Sequence, residues 1–232
     1  MHIVASFLLS AIFSLGTALG WHDETHLSVA KAAGYKKWYN AVGADITKIK
    51  ADRIERNNHY FDNLRKVEVT PDMVLGQVKR YNDPKDTEGH LYGAIIASLR
   101  EYKSTTEAGK YAAYHLAFCA HYVADLSQPL HNCPYDIFNE THHKTNDGIV
   151  EDEVFENISK IKENMYSVIL RKEYFEKDLA REIARIANIS RKLGYKLQKE
   201  NRDMTKEEAY RQLGHSASLL KAILKHAEGI EK

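Results

Sequence analysis

The stretch 118-FCAHYVADLSQPLHNCPYDIFNETHHKTND-147 carries four of the twelve histidines in this 232-residue sequence. His121 and Asp125 lie one turn apart in an apolar run that predicts a helix, and residues at this spacing project from the same helix face. Pro129 cannot continue a helix interior, so the helix should break just before it and the chain should bring His131 back toward that face. The stretch therefore predicts a cluster of imidazole and carboxylate groups.

A second pair in the same stretch repeats this spacing. His143 and Asp147 are again four residues apart, in front of an Asn-Asp-Gly turn. His142 is an alternative to His143, and Glu151 is a weaker alternative to Asp147, but neither offers the same pairing. Nitrogen and oxygen donors without thiolate suit zinc at a site that keeps positions open for water. Two such pairs around a Pro-Leu-His turn favour a metal site over histidines that merely lie at a polar surface.

The composition is that of a single folded domain. Hydrophobic residues make up 44% of the chain and charged residues 28%, which fits one soluble globular domain with a substantial core. The net charge of +1 demands neither a nucleic acid nor an anionic membrane as partner. Cys119 and Cys133 could form a disulfide or remain two free thiols, and the apolar surroundings of Cys119 favour thiols.

The amino terminus predicts an export signal. Residues 1–20 contain no Lys, Arg, Asp or Glu, and they end in the small residues of Ala-Leu-Gly. This pattern predicts a signal peptide over 1–20, cleaved before Trp21. An uncleaved anchor is the alternative, since the run approaches the ~18 residues of a membrane span, but the polar WHDETH that follows favours removal. No later segment is apolar enough to span a membrane, so we expect a secreted or periplasmic domain over 21–232.

Helical periodicity and cap residues predict an all-α domain, since no segment alternates as a strand does. The predicted helices run from Asp23 or Thr25 to about Tyr39, from Thr70-Pro71, from His90 to Tyr102, from a Thr105 or Thr106 cap through Asp125, from Glu151 to Leu170, from Tyr174 to Glu200, and from a Thr205–Glu208 capping box to near Gly229. A shorter polar region precedes Thr70. The segment from Pro134 to Thr141 is predicted as a loop.

The motif HYVADLSQPLH, from His121 to His131, resembles the central motif of the zinc-dependent phospholipase C family, which the single-strand-specific zinc nucleases share. The resemblance implies a single multi-helix domain of that type. The mature chain of that family begins with a tryptophan that binds zinc through its free amino group and carbonyl, and a histidine follows shortly after. Trp21 and His26 fit both features. The matches extend to Asp147 and so cover more than half of the mature chain.

The resemblance also implies three zinc ions in one cleft. The implied ligands are Asp52, His59, His121 and Asp125 for one ion, His131, His143 and Asp147 for another, and the Trp21 backbone with His26 and a bridging Asp125 for the third. Asp52 and His59 come from ADRIERNNHYFD, which matches a family element in which an aspartate precedes His-aromatic-aromatic-Asp. The gap between them is shorter than is usual in the family, so Asp45 is an alternative ligand. By the same resemblance, Asp52 would accept a proton from the attacking water.

The resemblance implies a phosphodiester substrate. Only eleven residues separate His131 from His143, which favours the phospholipase C branch, a phosphodiesterase acting on phospholipids. Glu24 matches an acidic residue at the choline headgroup, but Arg53 and Arg56 replace expected aromatic residues and would repel a quaternary ammonium. Substrate binding is therefore predicted for an anionic or less selective phosphate. The alternatives are a single-strand nuclease or 3'-nucleotidase and a non-catalytic zinc-binding helical protein; no stable protein partner is indicated.

Overall fold

A computed structural model of the protein describes residues 21–227, apart from Asp52 and the side chains of Ile49 and Arg53. The predicted signal peptide, residues 1–20, lies outside the described residues. Within the described range the regular structure is helical, and one isolated β-bridge joins Phe61 and Gly89. None of these helices combines the length and apolar character that crossing a membrane requires. The prediction of an all-α fold is confirmed, while its membership of the zinc phospholipase type stays a prediction.

The helices are α1 (Asp23–Ala33), α2 (Gly43–Ala51), α3 (Arg53–Arg56), α4 (Pro71–Gln77), α5 (Leu91–Glu107), α6 (Ala113–Leu126), α7 (Ile137–Asp147), α8 (Glu151–Val154), α9 (Ile158–Glu163), α10 (Phe175–Glu200) and α11 (Lys206–Ala227). Short 3₁₀ turns occur at Trp38–Asn40, Val78–Arg80, Pro129–Asn132 and Lys172–Tyr174.

Helix α6 forms the centre of the core. Every residue from Cys119 to Leu126 is buried, as expected of a helix that is apolar on all sides. Helix α6 packs along α5 and is also contacted by α1, α2, α10 and α11. Each fully buried Val or Leu side chain contributes roughly 1.5–3 kcal/mol through the hydrophobic effect. His121 and Asp125 are thus held in a fully buried part of the core.

The predicted break after α6 is confirmed. Helix α6 ends at Leu126, and Pro129 opens a 3₁₀ turn in which the Gln128 side chain accepts from the backbone N–H of His131 at 3.3 Å. Helix α10 packs directly against this turn at Gly194, where a Cβ would lie only 2.9 Å from the Pro129 carbonyl oxygen. A side chain at this position would therefore displace the turn that carries His131.

Two predicted caps and the thiol prediction are also confirmed. The Thr70 hydroxyl accepts from Met73 N at 3.2 Å at the start of α4. At the start of α11, Glu208 N donates to the Thr205 hydroxyl at 3.2 Å, and Thr205 N donates to the Glu208 carboxylate at 3.0 Å, which completes the capping box. Two buried free thiols, rather than a disulfide, are found at the cysteine positions.

Two predicted helix ends are wrong. Helix α1 stops at Ala33, because Gly34 adopts a left-handed conformation with φ of 86° and its N–H closes the helix end. The predicted helix from Glu151 to Leu170 is two short helices, α8 and α9, followed by a non-helical segment. The side chains of Asn157 and Asn164 each donate to the carbonyl four residues earlier at 2.8 Å, and such local bonds compete with helix continuation.

Two predictions around the loops are also wrong. Thr105 and Thr106 do not cap the helix that carries His121, because α5 continues through both of them and α6 begins at Ala113. The Thr106 hydroxyl instead donates to Tyr102 O within α5 at 2.7 Å. The segment predicted as a loop from Pro134 is helical from Ile137, because the Asp136 side chain accepts from Asn139 N at 3.0 Å and caps α7.

The start of α1 is capped from a distant part of the chain. The local N-cap residue, His22, makes no side-chain bond to the helix. The carboxylate of Glu151 accepts instead from Glu24 N at 2.7 Å, from Thr25 N at 3.0 Å and from the Thr25 hydroxyl at 2.7 Å. A carboxylate at this helix end satisfies orphan N–H groups and complements the helix dipole. Glu151 therefore fixes where α1 starts.

We predict that Glu151→Ala lowers the free energy of unfolding by roughly 1–2 kcal/mol, the usual effect of losing a cap. Urea denaturation of the purified protein measures this. Asp152→Ala is the matched control, because Asp152 is exposed and adjacent, and its removal should change stability by less than about 0.5 kcal/mol. Equal denaturation midpoints for the two variants would contradict the capping role.

Candidate metal centre

Side chains from six parts of the chain, α6 among them, meet at one place. Most of the predicted histidines and aspartates are among them, and all of these are buried. The contributors are His26 from α1, Asp45 from α2, His59 from the segment after α3, His121 and Asp125 from α6, His131 from the Pro129–Asn132 turn, and His143 and Asp147 from α7.

Asp125 is at the middle of this group. Its Oδ2 lies 2.9 Å from His59 Nδ1 and 3.3 Å from His121 Nε2. Its Oδ1 lies 3.4 Å from His26 Nε2 and 3.8 Å from His131 Nδ1. The two carboxylate oxygens therefore face different sets of imidazoles, which is the geometry that a bridging ligand requires. The bridging role itself stays a prediction.

Three sets of donor atoms could each hold a metal ion, since the atoms of each set lie within 4.8 Å of one another. The sets are His59, His121 and Asp125; His26, Asp45 and His121; and His131, His143 and Asp147. In the third set, His143 Nε2 lies 3.1 Å from His131 Nε2 and 3.2 Å from Asp147 Oδ2. All three sets consist of nitrogen and oxygen donors.

Several of these buried atoms have no hydrogen-bond partner. They are both ring nitrogens of His26, Nε2 of His59 and Oδ1 of Asp125. Buried polar atoms are nearly always paired, because an unpaired one costs about 1–3 kcal/mol. Among them, His26 Nε2 and Asp125 Oδ1 lie 3.4 Å apart, and a cation bound by both atoms would satisfy them. The residues therefore fit the metal that the sequence predicts.

Three of the histidines are held in place by a hydrogen bond from one ring nitrogen to an oxygen that belongs to none of the three donor sets. In each, Nδ1 donates to an oxygen, which leaves Nε2 directed inward, as is usual for metal-binding histidines. The acceptors are Ala41 O for His121 at 2.8 Å, His59 O for His131 at 2.7 Å, and Asn139 Oδ1 for His143 at 2.6 Å.

Burial and neighbouring charges shift the pKa values of the side chains in the cluster. Burial raises the pKa of Asp125, but His121, His131 and His26 outweigh it and bring the pKa well below its usual value. Burial and the neighbouring His121 lower the pKa of His26 to about 3, so His26 is neutral at physiological pH. Burial also lowers the pKa of His121, but Asp45 and Asp125 outweigh it and raise the pKa to about 9. A metal must therefore displace a proton at His121.

Asp45, which the sequence offers in place of Asp52, lies in the cluster. Its Oδ1 is 3.7 Å from His121 Nε2 and 3.9 Å from His59 Nδ1. Lys48 Nζ pairs with the same oxygen at 2.7 Å. Asp52, predicted as ligand and proton acceptor, lies outside the described residues, so its roles stay predictions. Of the two alternative ligands, Asp45 is the one whose position the structure describes.

His142 and Glu151, the rival candidates for the third donor set, are directed elsewhere. The Nδ1 atom of His142 lies 2.7 Å from Asp203 Oδ1, and its ring stacks on Phe138. His143 is the member of the histidine pair that faces the cluster. Glu151 is occupied as the distant cap of α1.

The residue predicted to bind zinc at the mature terminus and the residues predicted to bind substrate lie in different surroundings. The Trp21 side chain is fully buried, and its indole N–H donates to Ala124 O at 3.1 Å, next to Asp125. Glu24 is exposed, and its one described contact, to Glu151, uses the backbone N–H. The Arg53 side chain lies outside the described residues. None of these positions is tested as a binding residue by the structure.

Partly exposed groups border the third donor set. The Tyr135 ring is 46% exposed, and its centroid lies 5.8 Å from that of His143. Burial raises the pKa of both Tyr60 and Tyr135, and the nearby Arg56 opposes this shift at each phenol. The exposed Tyr135 ring is thus the aromatic group found beside His143 among the described residues.

Two charged residues in the centre were not predicted from the sequence. Lys48 is 7% exposed, and its charge reaches Asp147 as well as Asp45. On its own, a lysine one turn after an aspartate is indistinguishable from an ordinary surface pair. Glu55 is 3% exposed, with Oε1 3.4 Å from His59 Nε2. It precedes His59 by four residues, the same spacing that identified the other pairs, so the signal was present.

Comparisons with protein-family models, with curated proteins and with solved structures found no match to this chain. The case for function therefore rests on the quoted motifs and on the geometry of the centre.

Asp147 is the group most in need of a positive partner. It is buried, and burial raises its pKa well above the usual value although Gln128 donates a hydrogen bond to it. In the unfolded chain an aspartate ionises near pH 4. Asp147 in its protonated form therefore contributes to the free energy of unfolding in full below about pH 4. This contribution is lost as the pH rises through the raised pKa of the folded state.

We predict that Asp147→Asn makes the metal-free protein more stable than wild type at pH 7, by about 1–3 kcal/mol, and removes this part of the pH dependence. Urea unfolding in the presence of chelator at pH 5 and pH 7.5 measures both effects. With zinc present the order should reverse, because the variant loses a ligand. Asp152→Asn is the exposed control and should behave as wild type. A metal-free Asp147→Asn protein no more stable than wild type at pH 7 would contradict the assignment.

Proposed function

We propose that the protein is an exported zinc-dependent phosphodiester hydrolase of the phospholipase C type. The observation that carries the proposal is the arrangement of three candidate metal-binding sets around one buried carboxylate, Asp125. Two of these sets share His121, and the set with His143 is separate from them. Hydrolysis of an anionic diester benefits from several cations at one point.

By the resemblance, one zinc ion would be held by His59, His121 and Asp125 with Asp45 or Asp52, and a second by His131, His143 and Asp147. A third would be held by the Trp21 backbone, His26 and the shared Asp125. Bound zinc would supply positive charge that neutralises the diester and favours deprotonation of an attacking water. The side chains of this site are already oriented by their outer hydrogen bonds. Little rearrangement is therefore needed to bind metal.

The protein's own residues have distinct parts in this reaction. The carboxylate of Asp45, or of Asp52 as the sequence predicts, would accept the proton of the water. Lys48 stands beside Asp45 and adds a fixed positive charge to the same place, where it complements the charge of a phosphate. A cationic choline group gains nothing from Lys48 or Arg56, so we propose an anionic or weakly selective headgroup.

A nuclease or 3'-nucleotidase is the second candidate, and one observation favours it. The exposed Tyr135 ring lies beside His143. An exposed aromatic face is a surface on which an unpaired nucleobase can stack. The short segment between His131 and His143, in contrast, resembles the phospholipase branch. Direct comparison of the two substrate classes decides between them.

We predict that the mature protein binds more than one zinc per chain and that chelation abolishes its hydrolysis of a phosphodiester. Asp125→Asn keeps the size of the side chain but removes the charge shared by two sites. Two unit charges ~4 Å apart repel by about 4 kcal/mol at an effective dielectric constant of 20, and divalent ions repel more. The variant should bind less zinc and lose activity by roughly a hundredfold or more, since outer contacts alone can be worth that much.

The measurements are metal analysis and initial rates on anionic phospholipid, phosphatidylcholine and single-stranded DNA. Asp152→Asn serves as the surface control and should retain zinc and rate. Full activity without zinc would refute the proposal. Bound zinc with no cleavage of any diester would leave a non-catalytic zinc protein.

The proposed terminal ligand couples export to metal binding. The α-amino group of Trp21 exists only after cleavage behind Gly20. The proposal is supported by the indole of Trp21, which is buried and donates to the carbonyl of Ala124, the residue before Asp125. We predict that a protein with a few residues retained before Trp21 folds but binds one zinc fewer than the trimmed protein, because an amide cannot act as the same donor. Zinc binding at the site with Trp21 and His26 should also weaken as pH falls, since an α-amino group has a pKa of about 7.7–8.0. Equal zinc content in both forms would refute this ligand.

A further inference from the structure

His59 presents a different nitrogen to the cluster from its neighbours. Where His121, His131 and His143 donate through Nδ1 to outside oxygens, His59 directs Nδ1 inward. That atom lies 2.9 Å from Asp125 Oδ2 and 3.2 Å from His121 Nε2. If Nδ1 of His59 binds the metal, its proton must reside on Nε2. The outer support of this ring must therefore come from behind Nε2.

The group behind Nε2 is the carboxylate of Glu55. Its Oε1 lies 3.4 Å away, and it is the acidic group found within 4 Å of this nitrogen among the described residues. Nε2 itself is buried and makes no hydrogen bond in its present orientation. A buried N–H without an acceptor is costly, and a small rotation of the ring suffices to complete a bond to Glu55.

Two donors hold both oxygens of Glu55 in place. The Tyr122 hydroxyl donates to Oε1 at 2.5 Å, and Asn58 Nδ2 lies 3.3 Å from Oε2. Tyr122 is fully buried and follows His121 directly on α6. Helix α6 therefore carries the candidate ligand His121, and through Tyr122 it also holds the Glu55 carboxylate behind His59.

The orientation of Asn58 is fixed in turn. Its Oδ1 lies 2.7 Å from His90 Nε2, while His90 Nδ1 lies 2.7 Å from Asp86 Oδ2. With the amide reversed, its oxygen would face the Glu55 carboxylate, and the two oxygens would repel each other. The backbone N–H of Asn82 donates to Asn58 Oδ1 at 3.3 Å, which keeps the NH₂ group of Asn58 directed at Glu55. The sequence alone suggests no role for His90 beyond the surface or core.

We propose that Glu55 is a positioning residue that orients His59 for zinc by accepting its Nε2–H, in a carboxylate–histidine–metal arrangement. The inference rests on the proposed function, because it requires a metal at the His59 site. Glu55 is nearly fully buried, and its ion-pair partner among the described residues is His59. A carboxylate with a purely structural role would gain from a Lys or Arg partner or from replacement by a neutral group. Its countercharge is instead the imidazole and the metal beyond it.

The test is zinc affinity of Glu55→Gln, measured by competition with a chromophoric chelator. The variant keeps the shape but loses the charge, and the site that contains His59 should bind zinc roughly 10–100-fold more weakly, the usual effect of losing an outer partner. The set built on His143 should be unchanged. Glu55→Asp, which restores the charge, should recover part of the affinity.

Glu208→Gln is the matched control. Glu208 is also buried, and it pairs with Arg202 at 2.7 and 2.8 Å away from the centre. A general loss of stability would appear in both Gln variants, whereas a positioning role affects zinc only in Glu55→Gln. If Glu55→Gln does not fold, Tyr122→Phe removes one donor from Glu55 and should weaken the same site by a smaller factor.

A spectroscopic readout separates positioning from packing. In zinc-loaded wild type, ¹H–¹⁵N NMR should show the His59 Nε2–H proton far downfield, as expected for a carboxylate acceptor, and Glu55→Gln should move it upfield. The His131 Nδ1–H signal should not move. Zinc affinity within twofold of wild type in both Glu55→Gln and Tyr122→Phe would overturn the inference while leaving the proposed function intact. A wild-type protein that binds no zinc would overturn both.

Discussion

The contact between the Asp125 carboxylate and the imidazoles around it is the constraint on which the centre depends. An ionised carboxylate inside an apolar helix costs several kcal/mol unless it is compensated. Compensation here comes from histidines on α1, on α6, after α3 and in the 3₁₀ turn. Each of these segments must therefore reach the same face of α6. The burial of one charge in this way determines how distant parts of the chain are arranged.

Helix α6 can hold this charge in place because it is buried among several other helices. Its residues around Asp125 are buried on every side, so the carboxylate cannot move to solvent. The surrounding histidines are braced in a similar way by carbonyl and amide oxygens. A site whose ligands are fixed by packing and by outer hydrogen bonds is organised before metal arrives, which favours both affinity and precise chemistry.

What the sequence could and could not reveal follows from the range of the interactions. The spacing of His121 and Asp125, the break at Pro129 and the Thr205 capping box are local, and each is found as expected. The choice between Asp45 and Asp52 depends on how α2 packs against α6, which no local pattern encodes.

Long-range contacts explain why other features could not be predicted from the sequence. Glu151 reads as the start of a long helix, but its carboxylate is bound to α1. His142 and His143 are equivalent in sequence, and only the hydrogen bond to Asp203 shows which of them turns away. The resemblance to zinc phospholipases C supplied the ligand set, and the outer network behind His59 lay beyond it.

The cap on α1 has a consequence for how the protein is made. Glu24 and Glu151 are 127 residues apart, and Trp21 and Ala124 are 103 apart, so these contacts close most of the chain into loops. The two cysteines are separate thiols, so no disulfide closes these loops. During synthesis, α1 lacks the capping carboxylate of Glu151 until residue 151 has left the ribosome. The candidate centre likewise combines residues from His26 to Asp147, so its side chains can come together only after Asp147 has been made.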